Sequence, residues 1–339
     1  MKKNTRQLYG KLLGSMAKAY GIDVADVSKE FAVEIPQETK LNDAIQESSD
    51  FLSRITMATV EDTKGQALEM GVEGLLAKRT EITGGAVRQP NMAGAPTGSS
   101  WEVAFTEFDV AIKYITLDQW ARYKDFFQRY MNAVRRQIAL DKITIGFHGE
   151  SRATTSDPVA NPLGQDVNVG WLKTIQTQAP ARYMTRGAVV DVISLGAAGD
   201  YKNLDALVYD LYAGIAVEDR TGNEVVIVGS ALIADDVNKG LTKNAGTPTE
   251  KAVGITELSN QYGGLPALQV PKFPDMGVLV TDLENLHLYT QEGRMRRNNV
   301  EESNANRVVD YISSNDAYAI GNLKAVAAVH APNMAFKED

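Results

Sequence analysis

The residues whose types could do chemistry are few in this chain, and their spacing keeps them apart. His148, His287 and His330 are the three histidines; none has a second ligand at metal spacing, so each reads as a satisfied or exposed side chain rather than a ligand or a base. There is no cysteine, which excludes disulfides and thiolate zinc sites and fits assembly in a reducing cytoplasm. Acids stand side by side at Glu301-Glu302 and Asp235-Asp236, but adjacent carboxylates on polar stretches read as solvated faces. The glycines at Gly84-Gly85 and from Gly94 to Ser99 belong to no GxxxxGK[ST] phosphate loop. Gly263-Gly264 and Gly196 to Gly199 read as turns, and neither a GxSxG elbow nor a GxGxxG dinucleotide turn is present. Arg294, Arg296 and Arg297 form a local basic patch open to a partner, to DNA or to plain solvent. An enzyme shows a convergent set of activated groups. None is visible, so no catalytic residue, cofactor or metal is expected.

The composition is ordinary for a globular protein, 44% hydrophobic and 23% charged, and 339 residues allow one large core or two to three smaller ones. A formal net charge of -8 argues against broad phosphate binding, because an acidic surface repels nucleic acid. The local exception is the N-terminus. No apolar run approaches the roughly 20 residues of a membrane span, and no secretory hydrophobic core follows the first lysines. The expectation is a soluble protein without membrane partners.

The elements that would position these residues begin with the longest helical signal, Thr116 to Gly146. No Gly or Pro interrupts Leu117 to Ile145. Trp120, Phe127, Met131, Val134 and Ile138 mark the buried face, and Tyr123, Phe126 and Tyr130 widen it. Thr116 with Gln119 predicts a capping box, Gly146 a left-handed C-cap, and Asp118-Arg122 and Asp125-Arg129 ion pairs at i, i+4. One helix of this length would run about 45 Å, which leaves two readings open: the core helix of a large domain, or the strut of an elongated one. Before it, residues 1 to 22 predict a basic amphipathic helix; from Asp23 to Leu41 the signal weakens and Pro36 stops any helix, and a second helix of NDAIQESSDFLSRI character follows within a long, weakly structured arm. Residues 55 to 115 read as a long β-hairpin excursion with a Gly- and Pro-rich tip and a return strand with a bulge or bend near Thr106 and Glu107. Such an excursion needs a reason, and a surface packing on another molecule suits its lack of catalytic types better than a lid.

After the long helix come turns to about 186, then an α/β alternation from 188 to 281 with strands AVVDVI, EVVIVG and GVLVT and a helix from Leu204 to Ile215. LENLHLYTQ, VVDYIS and LKAVAAVHA read as three closing strands beside the long helix.

GIDVADVSKEF (21 to 31), QESSDFLSRI (46 to 55), RQP (88 to 90), YITLDQWARYKDF (114 to 126), RATTSD (152 to 157), QDVNVGWL (165 to 172), APAR (179 to 182), GDYKNLDALV (199 to 208), VVIVG, LPALQVPKFP and LENL occur in one order along the chain. In these words the sequence resembles the major capsid proteins of tailed phages of the peduovirus type, built on the Hong Kong 97 fold. The resemblance implies an α+β fold: an N-terminal arm over 1–54, an extended loop over 55–115, a spine helix and first part of a peripheral domain over 116–187, an axial domain over 188–281, and return strands to the peripheral sheet over 282–339. It also implies self-assembly into pentamers and hexamers around a scaffolding protein, with a maturation protease cutting near Phe31 and Ala32. A portal protein and enclosed double-stranded DNA complete the expected partners. The shell would assemble in the host bacterial cytoplasm and reside in the virion. Arg88, Trp101, Tyr123, Arg294, Arg296 and Arg297 are the expected contacts between subunits. Lys64 or Lys78 cross-linking to a neighbour is not expected, because no catalysing acid is identifiable. Two rivals stand beside this reading: a cellular nanocompartment shell of the same fold, and an α/β enzyme with its site near Gly229 and Thr281.

Overall fold

The computed structural model describes residues 1–67, 98–120, 125–187, 198–235 and 261–337, with shorter stretches at 70–71, 77, 79–80, 87, 90, 95–96, 123 and 192–196. The chain opens with α1 (Lys3–Tyr20), closed by Gly21 in the left-handed conformation that glycine adopts without strain. A two-residue strand β1 (Phe31–Ala32), α2 (Ile35–Gln46) and α3 (Asp50–Arg54) lead into β2 (Thr56–Val60). The excursion is then a ladder of short antiparallel pairs. β3 (Lys64–Gln66) and β4 (Met70–Gly71) go out, while β5 (Ala95–Pro96) and β6 (Ser100–Glu102) return. β7 (Ala104–Glu107), β8 (Val110–Lys113), α4 (Tyr114–Trp120), α5 (Phe126–His148) and α6 (Trp171–Gln178) follow. Then come β9 (Ile193–Leu195), α7 (Leu204–Ala213), β10 (Val225–Val228), β11 (Gln261–Tyr262), β12 (Leu265–Leu268) and β13 (Gly277–Thr281). The tail forms β14 (Leu286–Gln291), β15 (Arg296–Glu302), β16 (Arg307–Ile320), β17 (Val326–His330) and β18 (Met334–Phe336).

Two sheets organise these elements. In the seven-stranded sheet β16 is central: β14 and β15 run antiparallel along one edge of it, β7 and β8 along the other, and β2 and β1 close the outside. α5 and α6 supply Val134, Ile138, Ile143, Trp171 and Ile175 to the core over this sheet. The second sheet has the order β11-β12-β10-β13-β17 and carries a separate core with α7, through Leu207, Val208 and Leu211. Val225–Val228 and Gly277–Thr281 are apolar on both faces, as suits strands covered on both sides.

Four expectations need correction. The helix predicted from Thr116 to Gly146 is two helices, and α5 is about 35 Å long. The reason lies in their partners: Leu117 of α4 packs with Tyr9 and Val308 against α1, whereas Val134 and Ile138 of α5 enter the main core. Asp118 accepts from the Thr5 hydroxyl and the Lys2 N–H, and its expected partner Arg122 lies outside the described residues. Asp125 does pair with Arg129, at 2.7 Å. Gly146 is no C-cap; it lies inside α5, where an added Cβ would come within 2.3 Å of the Trp171 ring. No bulge shifts the return strand, since β7 and β8 share one register on β16 and are interrupted only at Phe108–Asp109. The tail does not all return to one sheet: β17 pairs with β13 and β18 with β9, so Lys324 to Ala331 contributes to the second sheet.

Candidate interface

The face expected to carry contacts is built on β15 and β16, and its chemistry is first a matter of burial. Arg297, expected in an exposed patch, is 1% exposed. Its Nε donates to Asp310 Oδ1 at 3.0 Å and its Nη2 to Asp310 Oδ2 at 2.6 Å, a bidentate pair, while Nη1 donates to the Tyr20 hydroxyl at 2.7 Å. Asp310 sits two residues along β16 from Arg297's direct partner Ile312, on the same face of the sheet. A second buried pair lies further along the strand. Lys142 of α5 donates to Asp316 Oδ2 at 2.6 Å, and Thr290 and Ser314 hydroxyls complete that carboxylate. Neither pair was legible beforehand, because each depends on which elements lie beside β16; two acids six residues apart in one strand were the available signal. These pairs fix α5 and β15 on the central strand and do not face solvent.

The other arginines of the patch behave differently. Arg296 is exposed and reaches Glu30 at 3.0 Å, and Arg294 is exposed. The patch therefore splits, with two bases at the surface and one structural. Phe31 and Ala32 form β1 against Arg297 and Arg296, so the implied cut falls within a paired strand. Tyr20 stacks on Phe31 with ring centroids 5.3 Å apart.

Of the residues expected on the buried face of the long helix, Val134 and Ile138 are buried and Met131 is partly buried, its sulfur accepting from Arg297. Trp120 is not buried: it is 45% exposed at the junction of the two helices, edge-on to Tyr123, which is 58% exposed. Ile115 is exposed beside them. The break that separates α4 from α5 turns these side chains outward. Trp101 is half-buried on Tyr289, with ring centroids 5.2 Å apart, and Gly65 leaves room beneath its ring. The Phe127 side chain, Arg88, Lys78, Asp236 and Gly84-Gly85 lie outside the described residues.

The histidines are satisfied within the fold. His148 Nε2 meets the Lys272 carbonyl at 2.8 Å, His287 Nδ1 the Tyr289 hydroxyl and His330 Nδ1 the Tyr183 hydroxyl, both at 2.6 Å. Burial holds all three below the ordinary imidazole value, His330 down to about 4. Among the described residues no group of three His, Asp or Glu side chains is placed to hold a metal ion. No helix there is long and apolar enough to cross a membrane.

Comparison with known proteins matches this architecture throughout. The chain is 38% identical over 333 residues to "Capsid proteins" of Escherichia phage P2, covering 96% of this chain and 93% of that one. It is 32% identical to the "Major capsid protein" of Serratia phage KSP20, with 97% of both covered. A solved "Satellite phage P4 procapsid including size determination (Sid) protein" contains a chain of 35% identity that superposes with a TM-score of 0.78, covering 100% and 99% of the two chains. A more distant chain from Mycobacterium phage Adephagia, at 9% identity and a TM-score of 0.50, shares the fold alone. The model of the phage major capsid protein, P2 family, matches residues 8–331. With a two-sheet α+β architecture of the Hong Kong 97 type and relatives that cover it end to end, the chain belongs to the P2 family of phage major capsid proteins.

Proposed function

We propose that this capsid subunit assembles in the host bacterial cytoplasm around an internal scaffolding protein, is trimmed near Phe31 and Ala32 by a maturation protease, and joins a portal. The resulting shell encloses double-stranded DNA without reading its sequence. The observation that carries the proposal is how the first thirty residues are attached. Their buried side chains form two small clusters, Tyr9 with Leu117 and Val308, and Met16 with Ala17 and Val27, apart from the main core, which begins at Val33. The remaining ties include the Arg6–Glu301 and Arg296–Glu30 ion pairs, exposed and individually weak. An arm held this way serves assembly and can then be removed without taking apart the body. The acidic balance suits the inner wall, because DNA gains no tight hold on it. The subunit acts without catalysis, cofactor or metal.

Mass spectrometry of subunits from mature particles is the test. A new N-terminus within a residue or two of Ala32 is expected, and an intact Met1 or Lys2 terminus in every subunit refutes the trimming. The exposed Trp120 and Tyr123 are proposed contacts between subunits, so Tyr123→Ala should lower particle yield severalfold in negative-stain images while leaving the circular dichroism spectrum unchanged.

A further inference from the structure

The buried face of α2 carries a polar pair. Glu38 is 1% exposed and Asn42, one helical turn further on, is 9% exposed, while Leu41 and Ile45 beside them enter the main core. Glu38 reaches across to the turn between β14 and β15, where its Oε2 accepts from the Gly293 N–H at 2.9 Å. The other oxygen, Oε1, is closed to solvent and has no hydrogen-bond partner among the described residues, and the same holds for both ends of the Asn42 amide. Natural folds rarely leave such groups without a partner. An ionised carboxylate here has one donor for two desolvated oxygens. A carboxylic acid instead keeps the Gly293 bond on its carbonyl oxygen and has an O–H to give, with Asn42 Oδ1 as the free acceptor one turn away.

The charges around the pair favour the acid form. Glu292 of the turn and Asp316 of β16 lie within electrostatic reach of Glu38 and repel its ionised state. Lys142 of α5 attracts it, but that ammonium is already bound to Asp316 at 2.6 Å. Arg135, the next base on the same face of α5, stands two turns before Lys142, about 10 Å along the axis. The first turn of α2 favours a negative charge, a smaller effect than taking a carboxylate out of water. Burial is the largest cause and raises the carboxyl above its ordinary range, against the Gly293 N–H. The turn that Glu38 holds is also where the arm meets the body. It runs into Met295, whose carbonyl accepts from the Val33 N–H at 2.9 Å, and into Arg296 and Arg297, which pair with Ala32 and Phe31.

We propose that Glu38 is a proton-operated latch: with its proton shared to Asn42 it seats α2 on the β14–β15 turn, and on losing that proton it loosens both, together with the strand that joins the arm to the body. The folded chain keeps the proton to higher pH than the unfolded chain does. The stabilisation is therefore fully present below the ordinary glutamate range and is lost as pH rises through the folded value. Glu38→Gln keeps the shape and neutrality of the protonated acid at every pH, and it tests the latch in the isolated subunit, apart from any trimming or shell assembly. Its urea midpoint should exceed that of the unsubstituted chain, by a margin wider at about pH 8 than at about pH 5. Hydrogen exchange compared between the two proteins at one pH cancels the intrinsic pH dependence of exchange. At about pH 8 it should be severalfold slower in the variant for peptides spanning 31–38 and 290–297, and closely similar in the two proteins at about pH 5. A midpoint that falls at about pH 8, or a variant that does not fold, shows that the site requires the charge and overturns the latch. A margin that does not widen with pH, or exchange unchanged in both segments, overturns it equally.

Discussion

At the scale of single residues, the strongest constraint is the pair of charges enclosed on β16. Arg297 and Asp310 are each 1% exposed at the side chain, so losing one partner leaves the other desolvated. Arg297→Met should therefore cost about 3–5 kcal/mol, while Arg297→Met with Asp310→Leu should recover most of it. Urea midpoints of the three proteins decide this, and a double variant no better than the single one would show that the pair's geometry is not what stabilises the strand. A second residue-scale consequence concerns acid. His330 is neutral in the folded chain, its Nδ1 against the Tyr183 hydroxyl, which also accepts from Asn333 Nδ2 at 3.4 Å. Burial is the first cause of its lowered value of about 4, with the charges of His148 and Lys173 adding to it. The unfolded chain takes up a proton near pH 6.5 that the folded chain refuses until about 4. Stability is thus fully present above 6.5 and falls as pH drops through that window, by about 2 kcal/mol at pH 5 from this residue. His330→Asn should flatten the pH dependence of the urea midpoint between 7 and 5; an identical slope in both proteins would refute the assignment.

At the scale of elements, α5 and α6 meet where one glycine permits it. Trp171 is fully buried, donates its indole N–H to the His287 carbonyl at 2.9 Å, and is enclosed by Phe51, Phe147 and Tyr318 at centroid distances of 5.2 to 6.1 Å. The ring cannot swing aside. Alanine in a helix interior normally gains about 1 kcal/mol over glycine, but at Gly146 the added methyl meets the ring at 2.3 Å, and overpacking costs about 1–3 kcal/mol. Gly146→Ala should lower the urea midpoint, and a rise would mean the helix and ring are further apart. The same region shows how far the sequence was legible. The apolar period correctly marked Val134 and Ile138, and the runs at Val225–Val228 and Gly277–Thr281 correctly marked buried strands, because those signals are local. The separation of α4, ending at Trp120, from α5, beginning at Phe126, was invisible because nothing local demands it: no Gly or Pro lies between them, and α4 gives Leu117 and Asp118 to α1. For the same reason Trp120 was misread as core, and Arg297, judged by its charged neighbours, was misread as surface.

At the scale of the whole molecule, the described residues hold two large cores and, apart from them, two small clusters built on α1. The partition of the tail between two sheets was not legible, because it required knowing that β17 pairs with β13. Of the candidate interface, the exposed Tyr123, Arg294 and Arg296 were named in advance. The division into body and arm has a consequence for stability. A chain beginning at Ala32 keeps every buried residue of the main core and of the second core. It loses the hydrogen bond of Tyr20 to Arg297, the Tyr9 hydroxyl bond to Asn299 Oδ1 at 2.7 Å and the pairing of Phe31 with β15. The bidentate bond to Asp310 still compensates the Arg297 charge, and the uncovered β15 edge is solvated in the isolated subunit. The truncated chain should therefore unfold in one cooperative transition, with stability reduced by a few kcal/mol, about 1 for each neutral hydrogen bond removed and somewhat more for the bond to Arg297. Equilibrium urea unfolding followed by tryptophan fluorescence reads this directly, since Trp171 reports the main core. A truncated chain with no native fluorescence in buffer would show that the arm is part of the fold rather than an attachment to it, and that any trimming must wait until neighbouring subunits have replaced what the arm supplies.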